Sequence, residues 1–223
     1  VLRAKLVALL DDAMHSNSVR PSLTDIQRCY DFSLGTPLHA QPMITAALNL
    51  LRLAWQEKTI FQSEFAYLLH SPYWSQSLSE ADARALLDAR IRKDLPLSFK
   101  VARLQAYVQK VTSGEGGMQL PGLSSALQAL LGFAQSQRAK QAPSVWALNF
   151  QVALQQADWP GQRGLSSVEY QAKKSFESVL AQLAGLDALL GKLEAQQAIY
   201  HLTKLCQAKI FQPESKTIPA LQV

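Results

Sequence analysis

Residues 144–171 read "SVWALNFQVALQQADWPGQRGLSSVEYQ". The first half is amphipathic at helical spacing. "DWPGQRG" then halts the helix with a tryptophan, a proline and two glycines, and "SSVEYQ" restarts it, with Ser166 and Glu169 as a capping box. No obvious catalytic residue stands in the break. The stretch therefore predicts a packed corner between two helices, with Trp159 buried and Pro160–Gly161 making the turn.

The same period runs through the rest of the chain. Leu2, Leu6, Leu9 and Leu10 recur on one face of a first helix. The next stretch, "SVRPSLTDIQRCYDFSLGTPLHAQP", is irregular, with room for a short helix near Asp25–Cys29 and a short strand at "YDFSL". Pro42 stands at a first helical position, where the missing N–H costs nothing, and Ile44, Ala47, Leu48, Leu51 and Trp55 form an apolar stripe behind it. "TIFQSEFAYLLHSP" predicts a helix stopped by Pro72. Ser79 and Asp82 make a capping signature ahead of a helix whose Ala83, Leu86, Leu87 and Ile91 face inward. In "LSFKVARLQAYVQKV", Leu97, Val101, Leu104, Val108 and Val111 keep register. The last helix turns Ala198, Ile199, Leu202 and Leu205 inward. Strands are nearly absent, so the expected class is all-α. The glycines and proline of "TSGEGGMQLPG" predict a hinge at residues 112–122 between helical lobes at 1–111 and 123–210, with 211–223 as a strand leading out.

The totals agree with a folded chain. Of 223 residues, 48% are hydrophobic and 17% charged, which fits a globular rather than a disordered protein. No apolar run approaches the roughly 18 residues a membrane helix needs, so no membrane partner is expected. Cys29 and Cys206 are the only cysteines and suit a reduced, cytoplasmic setting better than a disulfide framework. No initiator methionine is present, and "TIPALQV" ends in a strand-like apolar stretch; the chain reads as an interior segment of a longer protein.

Catalytic signatures are missing. There is no phosphate-binding G-x-x-x-x-G-K-[ST] and no G-x-S-x-G elbow. His15, His39, His70 and His201 show no metal-site spacing. Arg84, Asp88 and Arg92, at i, i+4 intervals, read as surface support. Trp55 and Trp146 read as core, and Trp74 and Trp159 as rings sealing helix ends. The formal net charge is +5, which permits polyanion contact. Lys100, Arg103, Tyr107 and Lys110 fall on the helix face opposite the apolar stripe, with Arg90, Arg92 and Lys93 just upstream. Cations at this spacing with an aromatic among them can follow a phosphate backbone; a solvated helix face is the plainer alternative.

"SLGTPLHAQPMITAALNLLRLAWQEKTIFQSEFAYLLHSPYW" resembles the region leading into the second accessory domain of superfamily 1, UvrD/RecB-like helicases. The opening stretch and the closing "IFQPESKTIPALQV" are similar to AddB-like proteobacterial repair proteins, in which a degenerate helicase body precedes a PD-(D/E)XK nuclease. The chain departs from true helicases after the "SP" turn, where "SPYWSQSLSE" replaces a glycine-containing hairpin that grips duplex DNA. The resemblance implies a non-catalytic accessory segment of a DNA-repair exonuclease. Its partners would be DNA, the parent motor and nuclease domains, and a helicase subunit. It implies no cofactor within this segment, with Mg2+ and ATP belonging elsewhere in the parent. The alternative expectation is a helical protein-binding scaffold without DNA contact.

Overall fold

A computed structural model of the chain describes residues 2–15, 30–31, 35–113, 116–213 and 221–222. Two compact units are formed, one from Val1–Gly35 with Gln212–Val223 and one from Thr36–Phe211. In the first, α1 (Leu2–Met14) carries the expected leucines, but Leu9 is exposed. Its β1 (Tyr30–Asp31) matches part of the expected strand and pairs in parallel with β6 (Leu221–Gln222). The helix expected near Asp25–Cys29 lies outside the described residues.

The second unit holds β2 (Thr36–Pro37), a 3-10 turn (Leu38–Ala40), α2 (Pro42–Ala54), β3 (Thr59–Phe61), α3 (Gln62–Leu69) and α4 (Ala81–Asp94). There follow β4 (Ser98–Lys100), α5 (Val101–Thr112), α6 (Pro121–Ser136), α7 (Pro143–Gln156), α8 (Ser167–Ala184), α9 (Asp187–Leu190), α10 (Ala195–Ala208) and β5 (Ile210–Phe211). Helices dominate, as the period predicts. The strands form two-residue and three-residue antiparallel ladders, β2 with β5 and β3 with β4.

Helix α2 is the axis of this unit. Proline opens it at N1, and it is buried around most of its circumference, from Met43 and Ile44 through Leu50, Leu51 and Leu53. A helix apolar over so much of its surface has to be largely covered, and α3, α6, α7, α8 and α10 all pack on it. Beside its end, Trp55 meets Trp146 and Phe150 edge to face at 5.6 and 5.5 Å. Each such pair contributes roughly 0.5–1.5 kcal/mol beyond the area it buries.

All four tryptophan indoles donate to backbone carbonyls: Trp55 to Gln137, Trp74 to Leu68, Trp146 to Leu193 and Trp159 to Met43. A large ring buries well only when its N–H keeps a partner. The tryptophans are therefore staples of the fold. "DWPGQRG" forms the expected corner. The Trp159–Pro160 peptide is cis, Gly161 has φ +92°, and its N–H donates to the Asp158 carbonyl. Trp159 is half-buried, its ring 5.8 Å from Phe176. The corner presses on a second one, "SPYWS": Ser75 N–H donates to the carbonyls of Ala157 and Asp158. A Cβ on Gly161 would stand 2.7 Å from the Pro72 carbonyl oxygen. Glycine is required there twice over, by φ and by the close approach.

Several expectations need correction. Thr59–Phe61 and Ser98–Lys100 are strands rather than helix starts, so Leu97 precedes β4 and is exposed. Helix α3 ends at Leu69, with His70 as its C-cap, ahead of Pro72. Leu86 points outward because Leu87 and Ile91, one position round the helix, take the core side. Ser79 does not cap α4; its hydroxyl donates to the Gln76 carbonyl, and Glu80 occupies the N-cap. The Thr36–Phe211 unit runs through the glycine-rich segment at 112–122, where Leu120 is fully buried, so the hinge position is not a limit of this unit. Ser166 and Glu169 do form the capping box that starts α8.

Candidate nucleic-acid interface

The basic residues singled out above lie at the end of α4, in β4 and along α5. The β4 ladder turns Phe99 inward and leaves Lys100 outside, a consequence of the two-residue period of a strand. Val101, Leu104 and Val108 then seat α5 on the core. That register places Arg103 and Lys110 in solvent. Over the seven residues separating them the helix rises about 10 Å. Helix α5 contains no carboxylate, and among the described residues no group pairs with the side chains of Lys100, Arg103 or Lys110.

Tyr107 sits between Arg103 and Lys110, but it is not a free stacking face. Its ring is half-buried against the core, and its hydroxyl donates to Asp94 Oδ2 at 2.5 Å. Burial, reinforced by the Asp94 carboxylate, pushes its pKa up to about 12. The tyrosine thus bolts the end of α4 to the middle of α5. Arg90 lies near enough to oppose that rise electrostatically. Lys93, at i+3 from Arg90, shares its side of α4. The structure therefore sets Arg90, Arg103 and Lys110 about Tyr107, with Asp94 as one offsetting charge, Lys93 exposed on α4 and Lys100 at the start of the row.

Arg92 is drawn elsewhere. Its guanidinium pairs with Asp88 at 3.0 Å, and His70 meets the same carboxylate at 3.2 Å. Burial raises the Asp88 pKa, but the hydrogen bonds from Arg92 and His70 outweigh it and hold the carboxyl below its ordinary range.

Arg84 corrects a further expectation. It is not surface support for Asp88 but 1% exposed, paired with Glu80 at 3.0 Å and set over the Trp74 ring. Burial lowers the guanidinium's pKa and Glu80 opposes that change. The Glu80 carboxylate also accepts from the backbone N–H groups of Gly122 and Leu123, at 2.7 and 3.1 Å. Those N–H groups open α6, so a side chain from 42 residues earlier caps it. A carboxylate at a helix N-terminus satisfies orphan donors and meets the positive end of the dipole. Local sequence gives no sign of this, because the pairing is made by the fold.

A second polar tether secures the corners. Glu169 accepts from the Tyr73 hydroxyl at 2.9 Å, from Ser166 N–H and from Arg163, whose guanidinium lies over the Tyr73 ring. Burial raises the Glu169 pKa, but these donors hold it below its ordinary value.

Among the described residues no cluster of three or more potential metal ligands is formed, and no helix is long and apolar enough to cross a membrane. Cys206 is buried, which pushes its thiol up to about 12. A separate concavity, between α2, α3 and α10, is lined by Arg52, Tyr67 and Tyr200. None of these three stood out in the sequence; the one local sign was Lys204 four residues after Tyr200. No family model, curated protein or solved structure matches the chain.

Proposed function

We propose that this chain is a non-catalytic helical accessory segment of an AddB-like, helicase-related exonuclease of DNA repair or recombination. In this reading it braces the motor and offers DNA a basic face along α5. The observation that carries the DNA contact is the row Lys100, Arg103 and Lys110: exposed cations with no acidic partner among the described residues, at the end of β4 and along a helix fixed by its opposite side. The motor and nuclease assignments rest on the sequence resemblance, as do Mg2+, ATP and a helicase partner subunit. Salt-dependent binding to labelled DNA is the test. Each phosphate contact contributes a slope of roughly −0.7 to −0.9 in log affinity against log salt. Changing Lys100, Arg103 and Lys110 together to Ala is expected to lower affinity and flatten that slope. Indifference to both salt and the triple change overturns the reading.

A scaffold without DNA contact is the second reading. Ser144 at the start of α7 bonds Asp187 of α9, and Val145, Leu148 and Leu189 are all exposed in that region. Apolar side chains grouped in solvent suit a protein partner.

A further inference from the structure

The cleft between α2, α3 and α10 is open to solvent and has a volume of about 540 Å³, within the range of small-ligand sites. Its floor is apolar, with Leu53, Phe65 and Leu68 buried beneath it. One charge in it is fixed in place. Arg52 Nη1 donates to Asn49 Oδ1 at 3.1 Å and Nη2 to Thr203 Oγ1 at 3.3 Å. Thr203 is itself anchored, donating to the Ile199 carbonyl at 2.8 Å. Both partners of the guanidinium are neutral, and among the described residues no carboxylate pairs with it. A guanidinium has five N–H donors, so most of this one's fork stays available to an anion. A cation held in position by neutral groups loses little freedom when it binds.

Two aromatic rings share the cleft. Tyr67 enters from α3 and Tyr200 from α10, at 45% and 58% exposure. Unlike Tyr73 and Tyr107, neither has a hydroxyl partner among the described residues. The Lys204 ammonium stands 5.5 Å from the Tyr200 ring centroid, adding a second positive charge beside it. The lining carboxylate, Glu64, is already engaged as a cap, accepting from Phe61 N–H at 2.8 Å.

We propose that this cleft binds a nucleotide, with Arg52 taking the phosphate and the base lying against Tyr67 and Tyr200. An aliphatic acid would use the guanidinium and leave the rings idle. A neutral aromatic would do the reverse. A nucleotide joins a flat ring to an anion over the apolar floor, and base stacking on aromatic side chains is how unpaired bases are held. The base must be unstacked to enter, so duplex DNA is excluded. This goes beyond the α5 face, which needs only a phosphate backbone. The nucleotide is supplied either free or as one unit of a single strand.

The test uses the full chain, with a fluorescent short oligothymidylate as the single-strand probe and thymidine monophosphate as the free one. Arg52→Met is expected to weaken binding about 10-fold to 100-fold. Tyr200→Ala is expected to weaken it about 5-fold to 100-fold. Tyr200 is exposed, so its variant keeps the fold even where Arg52→Met does not. A mononucleotide that binds as tightly as the oligomer assigns the site to free nucleotides; preference for the oligomer assigns it to a strand. Oligomer binding unchanged by both variants overturns the proposal. If the Lys100/Arg103/Lys110 variant alone abolishes that binding, the α5 reading survives without the cleft. Loss in the cleft variants with none in the triple variant supports the cleft and ends the α5 reading. No binding of either probe to the unaltered chain overturns the cleft.

Discussion

Arg84 and Arg103 stand on consecutive helices and differ in every respect that decides what a charge does. Arg84 is buried, paired with Glu80 and stacked over Trp74. Arg103 is in solvent with no partner among the described residues. The Glu80–Arg84 pair joins α4 to the start of α6, so its charges are spent within the fold. The α5 face is held from behind by apolar residues, and its cations Arg103 and Lys110 have no partner among the described residues. Charge count alone cannot separate these roles; burial and pairing do.

The largest expected effect tests the buried side of that contrast. Glu80→Ala leaves Arg84 charged and unpaired in the interior and strips the cap from α6, at an expected cost of about 3–5 kcal/mol. Urea denaturation would measure it. Replacing both members, Glu80→Met with Arg84→Met, is expected to cost less than Glu80→Ala alone, because no orphan charge remains. Should the double variant prove the worse, the pair is a net stabiliser and not merely a matched one.

Gly161→Ala comes next, at an expected 1–3 kcal/mol for a strained positive φ with the Pro72 carbonyl oxygen in the way. Thermal unfolding would show it. Glu169 adds a pH-dependent difference. Its folded pKa lies below the ordinary glutamate value of 4.5, so its contribution is present above that value and is lost as pH falls through the lower, folded pKa. Glu169→Gln is expected to flatten the acid limb of stability below about pH 5, followed by denaturation at stepped pH. The smallest stability effect belongs to the open side. Changing Lys100, Arg103 and Lys110 to Ala is expected to shift stability by no more than about 0.5 kcal/mol while lowering DNA affinity. A large loss of stability there would erase the distinction between the two regions.

The helices were legible in the sequence because their signals are local. Pro42 at N1, the Ser166–Glu169 box and the stripe through Ile44, Ala47, Leu48 and Leu51 each declare themselves within a few residues. The strands β3 and β4 were not. Thr59–Phe61 and Ser98–Lys100 abut helices, and only their mutual pairing extends them. Leu86 and Leu97 misled because an apolar residue beside a stripe looks like part of it. Of the candidate interface, the cations were readable as an exposed row and the Asp88–Arg92 pair as an i, i+4 couple on one helix, whereas the diversion of Tyr107 to Asp94 depended on a contact between α5 and α4. Arg52 and Tyr200 are 148 residues apart, the difference of their numbers, and no spacing rule connects them.

The ladder of Thr36–Pro37 with Ile210–Phe211 sets the points where the polypeptide enters and leaves its helical body. Cross-strand partners have Cα atoms about 5 Å apart, so entry and exit are neighbours. A body with adjoining ends behaves as a cassette: spliced into a surface loop of a host domain, it need not pull the host's flanking segments apart. Residues 36–211 can thus be exchanged or excised as one block, with a few-residue bridge closing the gap.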